Sequence, residues 1–495
     1  MQDLEEYFNQ FRKNIIGIDQ TFTSPYGEKK IIYSDWIASG RLYTPIEKKI
    51  VETFGPYVGN THSEASITGT TMTVAYQTAH EIIKDHVHAG KDDVIITAGS
   101  GMTAMINKFQ RILGLKVPEQ LKAYLTLPAE LTPVVFVTHM EHHSNHTSWL
   151  ETIADVVCIQ PDSEGLIDLH DFEVQLEKYK DRKLKIGAFT ACSNVTGIET
   201  PYHKMAKMMH ENGGFCFIDF ACSAPYVNID MHPADPLEKL DAIFFSPHKF
   251  LGGPGTPGVI IFDSHLYKNL VPDNPGGGTV DWTNPWGQHK FVSNIELRED
   301  GGTPAFLQTI KAALCVKLKE EMNVDKMEQR EKYLVKTAID GLRKIPGLHI
   351  LADNIEDRLG AISFYVDKIH YNLLVKILND RFGIQMRGGC SCAGTYGHYL
   401  LHVSPDQSKH ISEKINEGDL SEKPGWVRMS IHPTTTNEEL DFIIESIKVT
   451  AKNISLWEKD YRYCQQNNEF FHLSSNEEEK TIIKSWLNTH VTQPI

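Results

Sequence analysis

The sequence predicts an α/β protein built on a largely parallel sheet covered by helices, with a smaller α+β domain behind it. Three observations carry that prediction. Short apolar runs alternate with stretches of helical period from about residue 65 onward. Two long helical patterns between Phe306 and Lys344 then separate this alternation from a second, shorter set of strands and helices. Finally, the apolar runs Ala242–Phe245 and Val259–Phe262 flank a Gly/Pro-rich link, Ser246 to Gly258, which reads as a turn between two buried strands and holds one lysine, Lys249.

Residues 1–30 read as a short amphipathic helix and a linker, and IIYSDWIAS (Ile31 to Ser39) leads into a large domain over 31–310. Helical patterns at Met72–Val87, Thr103–Leu113, Asp168–Tyr179 and Tyr202–His210 interleave with apolar runs from Val94, Val134, Asp155 and Lys185, the pattern of βαβ units. Met205, Met208 and Met209 recur at helical spacing and form a core face. ISFYV, NLLVKILNDRF, WVRMSI and ELDFIIESIKV supply the small domain, 311–452. Residues 453–495, with EEEK near Glu477, read as a solvated helical appendage. Segment 115–132 and the polar segment 402–424 read as insertions of no legible role.

A chain of 495 residues with 41% hydrophobic content can build two or three domains with substantial cores. No apolar run approaches membrane-spanning length, and the acidic start MQDLEEYFNQFRKN lacks the features of a signal or transit peptide, so a cytoplasmic protein is expected. A formal charge of −15 without a Lys/Arg block argues against a nucleic-acid or anionic-membrane partner. Eight scattered cysteines are expected to be reduced thiols.

Lys249 is the centre of the chemical reading. A lysine at a buried strand end loses hydration, which lowers its pKa and frees the amine as a nucleophile toward an aldehyde such as that of pyridoxal phosphate. Ser246 and His248 flank it as hydrogen-bonding groups. Gly253, Gly255 and Gly258 form G-x-G-x-x-G, but a strand follows where a dinucleotide fingerprint needs a helix, so that reading is rejected. Upstream, Asp219 ends the run GGFCFID and delivers a carboxylate to the same sheet edge, where it can keep a pyridine nitrogen protonated. The turn GSGMTAMIN follows a strand and opens a helix, so Gly101 and Met102, with the Thr103 hydroxyl, offer an anion site for the cofactor phosphate. His142 and His146 stand at i, i+4, yet no third ligand completes a zinc pattern, and no metal is expected.

Four blocks, EHHSN from Glu141, DFACSAPY from Asp219, SPHKFLGGPG from Ser246 and GGTP from Gly301, occur in an order that resembles the class V aminotransferases, fold-type-I pyridoxal phosphate enzymes that include cysteine desulfurases and selenocysteine lyases. The likeness spans roughly Tyr33 to Lys448. It implies that His142 stacks on the pyridine ring and can relay a proton. Asn194 would bond the cofactor's phenolic oxygen or the substrate carboxylate. Arg428, in WVRMSIH, would fork onto that carboxylate, Arg387 matches a further family arginine, and Thr303 would reach the phosphate of the other subunit of a homodimer. One departure stands out: Cys222 takes the place of a glutamine that donates to the cofactor oxygen, and a thiol is a weak donor.

RGGCSCAG (Arg387 to Gly394) falls where cysteine desulfurases carry their nucleophile loop, and counting from Arg387 puts Cys392, not Cys390, at the nucleophile position. Gly388, Gly389 and Gly394 read as sources of loop mobility. The resemblance therefore implies a cysteine desulfurase-like enzyme that converts L-cysteine to L-alanine with a persulfide on Cys392 and passes the sulfur to an acceptor protein. The alternative is an aminotransferase or C–S lyase in which Cys392 is a bystander, which Cys222 favours slightly. A non-catalytic binding protein on the same scaffold is opposed by the intact Lys249, Asp219 and Arg428.

Overall fold

Seven strands form the central sheet: β1 (Asp93–Ala98), β2 (Val134–Thr138), β3 (Asp155–Ile159), β4 (Lys185–Thr190), β5 (Phe215–Asp219), β6 (Ala242–Phe245) and β7 (Gly258–Asp263). Their spatial order is β1-β7-β6-β5-β4-β2-β3. The computed structural model describes residues 2–61, 63–474 and 478–488. Every residue of β2, β4 and β6 is buried, as expected of strands covered on both faces. Alternate side chains enter opposite cores: Val134 and Phe136 of β2 join one apolar cluster, Val135 and Val137 the other. Helix Met102–Ile112 covers one face through Met105, Ile106 and Phe109, and helices Ile67–His86 and Phe306–Met322 cover the other.

All neighbours in this sheet are parallel except β7, which runs antiparallel to both β1 and β6. The link from Ser246 to Pro257 therefore folds back at the edge where β4, β5 and β6 end, which brings Lys249 within electrostatic reach of Asp219.

A second sheet contains β8 (Leu348–Ile350), β9 (Ala361–Val366), β10 (Arg387–Gly389) and β11 (Trp426–Ser430), ordered β8-β9-β11-β10 with antiparallel neighbours. It has its own apolar core with helices Val324–Leu342, Tyr371–Ile377 and Asn437–Trp457. The start of the large-domain reading is stitched to this sheet. Ile32 and Tyr33 pair in parallel with Ile384 and Gln385, and the Ser430 N–H donates to the Ser34 carbonyl at 2.8 Å. That pairing carries Asp35 to the edge where β10 and β11 lie side by side.

The helical expectation for 453–495 needs correction. Helix Asn437–Trp457 ends inside it, and a hairpin of Tyr461–Cys464 with Glu469–His472 follows before helix Glu478–Asn488. Aromatic residues at alternate positions explain the hairpin: Tyr463 packs on Phe470 at 4.8 Å between centroids, and Phe470 on His370 at 5.1 Å. Glu477 of the acidic run lies outside the described residues. In the polar segment 402–424, helix Pro405–Asn416 opens on a Ser404–Gln407 capping box and buries no side chain. Among the described residues no helix is long and apolar enough to cross a membrane.

Candidate active site

A cavity of about 730 Å³ opens where β4, β5 and β6 end, and its far wall comes from β10, β11 and the loop after β10. Lys249 closes the turn Pro247–Lys249 after β6. Its backbone N–H donates to the Ser246 carbonyl at 3.0 Å, and the His248 carbonyl accepts from the Gly40 N–H at 2.9 Å, so the turn is held from both sides. One side of the lysine faces the cavity and protein encloses the rest. Burial pushes its ammonium below the ordinary lysine value, and Arg428 and Arg387 push the same way against Cys222 and Asp219.

Asp219 ends β5, and its Oδ1 accepts from the Ala221 N–H at 2.8 Å. Burial raises this carboxyl to about 6, with that hydrogen bond and Lys249 opposing. At the mouth of helix Met102–Ile112, the Met102 N–H donates to Ser246 Oγ at 2.9 Å, Thr103 Oγ1 lies 2.6 Å from Ser144 Oγ, and His248 Nδ1 lies 3.0 Å from the Ser100 carbonyl. Ser246 thus ties the lysine turn to the helix N-terminus, and Gly101, Met102 and Thr103 line the cavity there.

His142 caps helix His143–Leu150, its Nδ1 accepting from the Ser144 N–H at 3.1 Å. Burial, with Lys249 nearby, pulls its pKa down to about 3, so the ring at the cavity wall is neutral. Behind it Glu141 is buried under four donors: Thr138 N–H and hydroxyl, Thr190 N–H and Asn145 Nδ2. Burial still raises its carboxyl to about 8. The group locks the end of β2 to the end of β4.

Arg428 donates through Nη2 to Asp35 Oδ1 at 2.7 Å and through Nη1 to the Asn194 carbonyl at 3.1 Å, while its buried Nε has no partner. Arg387, its cross-strand partner, donates through Nε to Asp35 Oδ2 at 3.1 Å. Asn194 Nδ2 donates to the Ser391 carbonyl at 2.7 Å, leaving its buried Oδ1 without a partner. Cys222 Sγ lies 4.0 Å from Cys192 Sγ.

Cys392 is exposed and lines the cavity, whereas Cys390 is half-buried against the cluster of Trp426 and Tyr396. Two hydrogen bonds tie the loop to His143. The Cys392 carbonyl accepts from the His143 N–H at 2.7 Å, and His143 Nε2 accepts from the Gly394 N–H at 2.9 Å. Gly388 belongs to β10, where a Cβ would stand 2.2 Å from Asn372 Oδ1, and Gly389 has φ +115°. These glycines permit close packing and a left-handed turn.

Of the catalytic and binding candidates read from the sequence, only Thr303 stands outside this cavity, exposed in the loop before helix Phe306–Met322. The sequence reading missed Asp35, His143, Ser144 and Cys192. A charged Asp35 inside the apolar run IIYSDWIA was the one available signal.

The sequence model of the family described as Aminotransferase class-V matches residues 32–443. The chain belongs to this family. Similar proteins include one named "Probable cysteine desulfurase" from Halalkalibacterium halodurans, 27% identical over 73% of this chain and 84% of the relative. The "Cysteine desulfurase" of Haloferax volcanii is 26% identical over 73% of this chain and 80% of its own length. Among solved structures, the apo cysteine desulfurase of Thermococcus onnurineus superposes with a TM-score of 0.71 at 22% identity, over 90% of this chain and 98% of its own. The class-V chain thus has the fold-type-I architecture, a mostly parallel large sheet with a smaller α+β part.

Proposed function

We propose that this class-V protein is a pyridoxal phosphate enzyme that removes sulfur from L-cysteine, leaving L-alanine and a persulfide on Cys392. The observation that carries the reading is that Cys392, Lys249 and Arg428, from separate segments, line one cavity. Relatives named as cysteine desulfurases over most of the chain support it.

The residues present fit the cofactor. A half-buried lysine of lowered pKa, a buried carboxylate at the end of β5, and hydroxyls at a helix N-terminus meet the needs of an aldehyde, a pyridine nitrogen and a phosphate. When bound, pyridoxal phosphate supplies an electron sink for the substrate's α-carbon. Lys249 would hold it and move the Cα proton. Asp219 would pair with its ring nitrogen, and the neutral face of His142 would orient the ring. Gly101, Met102, Thr103, Ser246 and His248 would receive the phosphate, and Asn194 and Cys222 would face the phenolic oxygen. Arg428, turned by Asp35, would take the substrate carboxylate through its free Nε, with Arg387 beside it. The Cys392 thiolate would then attack the substrate sulfur: an S–S bond forms, the C–S bond breaks, and its electron pair stays on carbon to be protonated as alanine.

Cys222 in place of glutamine favours a second reading, an aminotransferase or C–S lyase in which Cys392 takes no part. We assign the second half of the site to a second copy of this chain. Thr303 is exposed and does not line its own cavity, and Leu270 and Trp286 are apolar side chains left 85% and 83% exposed. The persulfide would be consumed by a sulfur-acceptor protein. Product analysis decides between the readings: alanine with a persulfide-bearing Cys392 supports the desulfurase, and pyruvate or another keto acid from a panel of amino acids supports the alternative.

A further inference from the structure

Two thiols meet in the floor of the cavity: the sulfur-transfer reading turns Cys222 toward the cofactor oxygen and gives Cys192 no role. Cys192 follows β4 and Cys222 follows β5, neighbouring strands that pair Thr190 with Asp219. The Ala191 N–H still donates to the Asp219 carbonyl at 2.9 Å, so the two backbones leave the sheet side by side. Both side chains line the cavity, and their sulfurs are 4.0 Å apart. Disulfide formation needs the sulfurs to close by about 2 Å.

We propose that Cys192 and Cys222 are an oxidisable dithiol, a site at which hydroperoxides entering the cavity form a reversible disulfide distinct from any chemistry at Cys392. The Cys192 thiol draws the Cys222 thiol below its ordinary value against burial, with Lys249 and Arg428 helping and Asp219 opposing, whereas burial holds Cys192 well above. Cys222 is also the more accessible of the two, 5% exposed against 0% for Cys192, which makes it the attacking member. Its thiolate attacks one peroxide oxygen, the O–O bond breaks, and hydroxide leaves a sulfenic acid on Cys222. The Cys192 sulfur then displaces the sulfenic oxygen as water. Two thiols and one hydrogen peroxide give one disulfide and two waters. The product ties the segment bearing Asn194 to the segment bearing Asp219 and removes the thiol hydrogen from the Cys222 position. This goes beyond the proposed desulfurase activity and is independent of the amino acid the enzyme takes.

The full-length protein, reduced and freed of reductant, is treated with stoichiometric hydrogen peroxide, alkylated in denaturant, digested and mapped by mass spectrometry. The expected result is a joined peptide pair containing Cys192 and Cys222 in the majority of chains, lighter by two hydrogens and lost on treatment with dithiothreitol. Cys192→Ser and Cys222→Ser should each remove it. If either variant does not fold, the wild-type map decides alone. Full alkylation of Cys192 and Cys222 while Cys392 is oxidised would overturn the proposal, as would a cross-link joining any other pair.

Discussion

Asp35 holds Arg428 at 2.7 Å, and its second oxygen holds Arg387 at 3.1 Å. One carboxylate thus bridges two cavity arginines on adjacent strands, leaving Arg428 Nε without a partner. A guanidinium kept in one orientation loses less freedom when it receives a carboxylate. Asp35→Ala should raise KM for the amino acid roughly ten- to hundred-fold, the size of a hydrogen bond to a charged group. Asp35→Asn should fall between it and wild type. Steady-state kinetics check this, and a fall in kcat with KM unchanged would count against it.

Lys249 lines the cavity enclosed at a strand end, with its pKa lowered. Purified protein should be yellow, and borohydride reduction should fix the cofactor to the peptide holding Lys249. Lys249→Ala should cost at least about 10²–10⁴-fold in turnover. A labelled peptide from elsewhere in the chain removes the basis of the proposed mechanism.

Cys392 faces the cavity while Cys390 packs aside. Cys392→Ala should abolish sulfide release from cysteine with cofactor binding intact, and Cys390→Ala should cost less than about tenfold, consistent with a packing change of roughly 1 kcal/mol. Full turnover of Cys392→Ala with every amino acid tried transfers the reading to an aminotransferase or lyase.

Thr303 lies outside its own cavity, so its proposed contact is with a second subunit. Thr303→Ala should weaken cofactor retention several-fold, the worth of about one hydrogen bond, without lowering the melting temperature of cofactor-free protein. Sedimentation should give a dimer; an active monomer contradicts the assignment.

Asp219 titrates near 6 in the fold because burial raises it from an ordinary 3.8. An acid raised in this way stabilises the folded state while protonated, so its contribution is full below about 4 and is lost as pH rises through about 6. In cofactor-free protein, Asp219→Asn, which cannot ionise, should gain stability relative to wild type as pH rises from about 4 to about 7. Paired thermal melts across that range test the sign, and a difference that moves the other way would show the carboxylate is favoured by the fold.

Much of the site was legible because its signals are local. Lys249 and Asp219 each end or follow a run of apolar residues, and a strand end can be read from a few neighbours. Cys392 was reached through the family resemblance of one short loop, counted from Arg387. The close approach of Gly388 to Asn372 was not legible, because a glycine that permits close packing looks the same in sequence as one that permits motion. The hairpin at 461–472 was missed because two strands of four residues carry too little periodicity to outweigh the helical patterns around them.

By itself, the sequence determined the alternation of strands and helices, the sheet edge at which the reactive side chains gather, and the order of its motifs, since periodicity and turn chemistry act between near neighbours along the chain. Tertiary structure alone decided that Asp35 meets Arg428 across 393 residues, that Cys192 touches Cys222, and that His143 grips the backbone around Cys392. Such contacts depend on which surfaces the packed sheets bring together, and no local pattern records the partner.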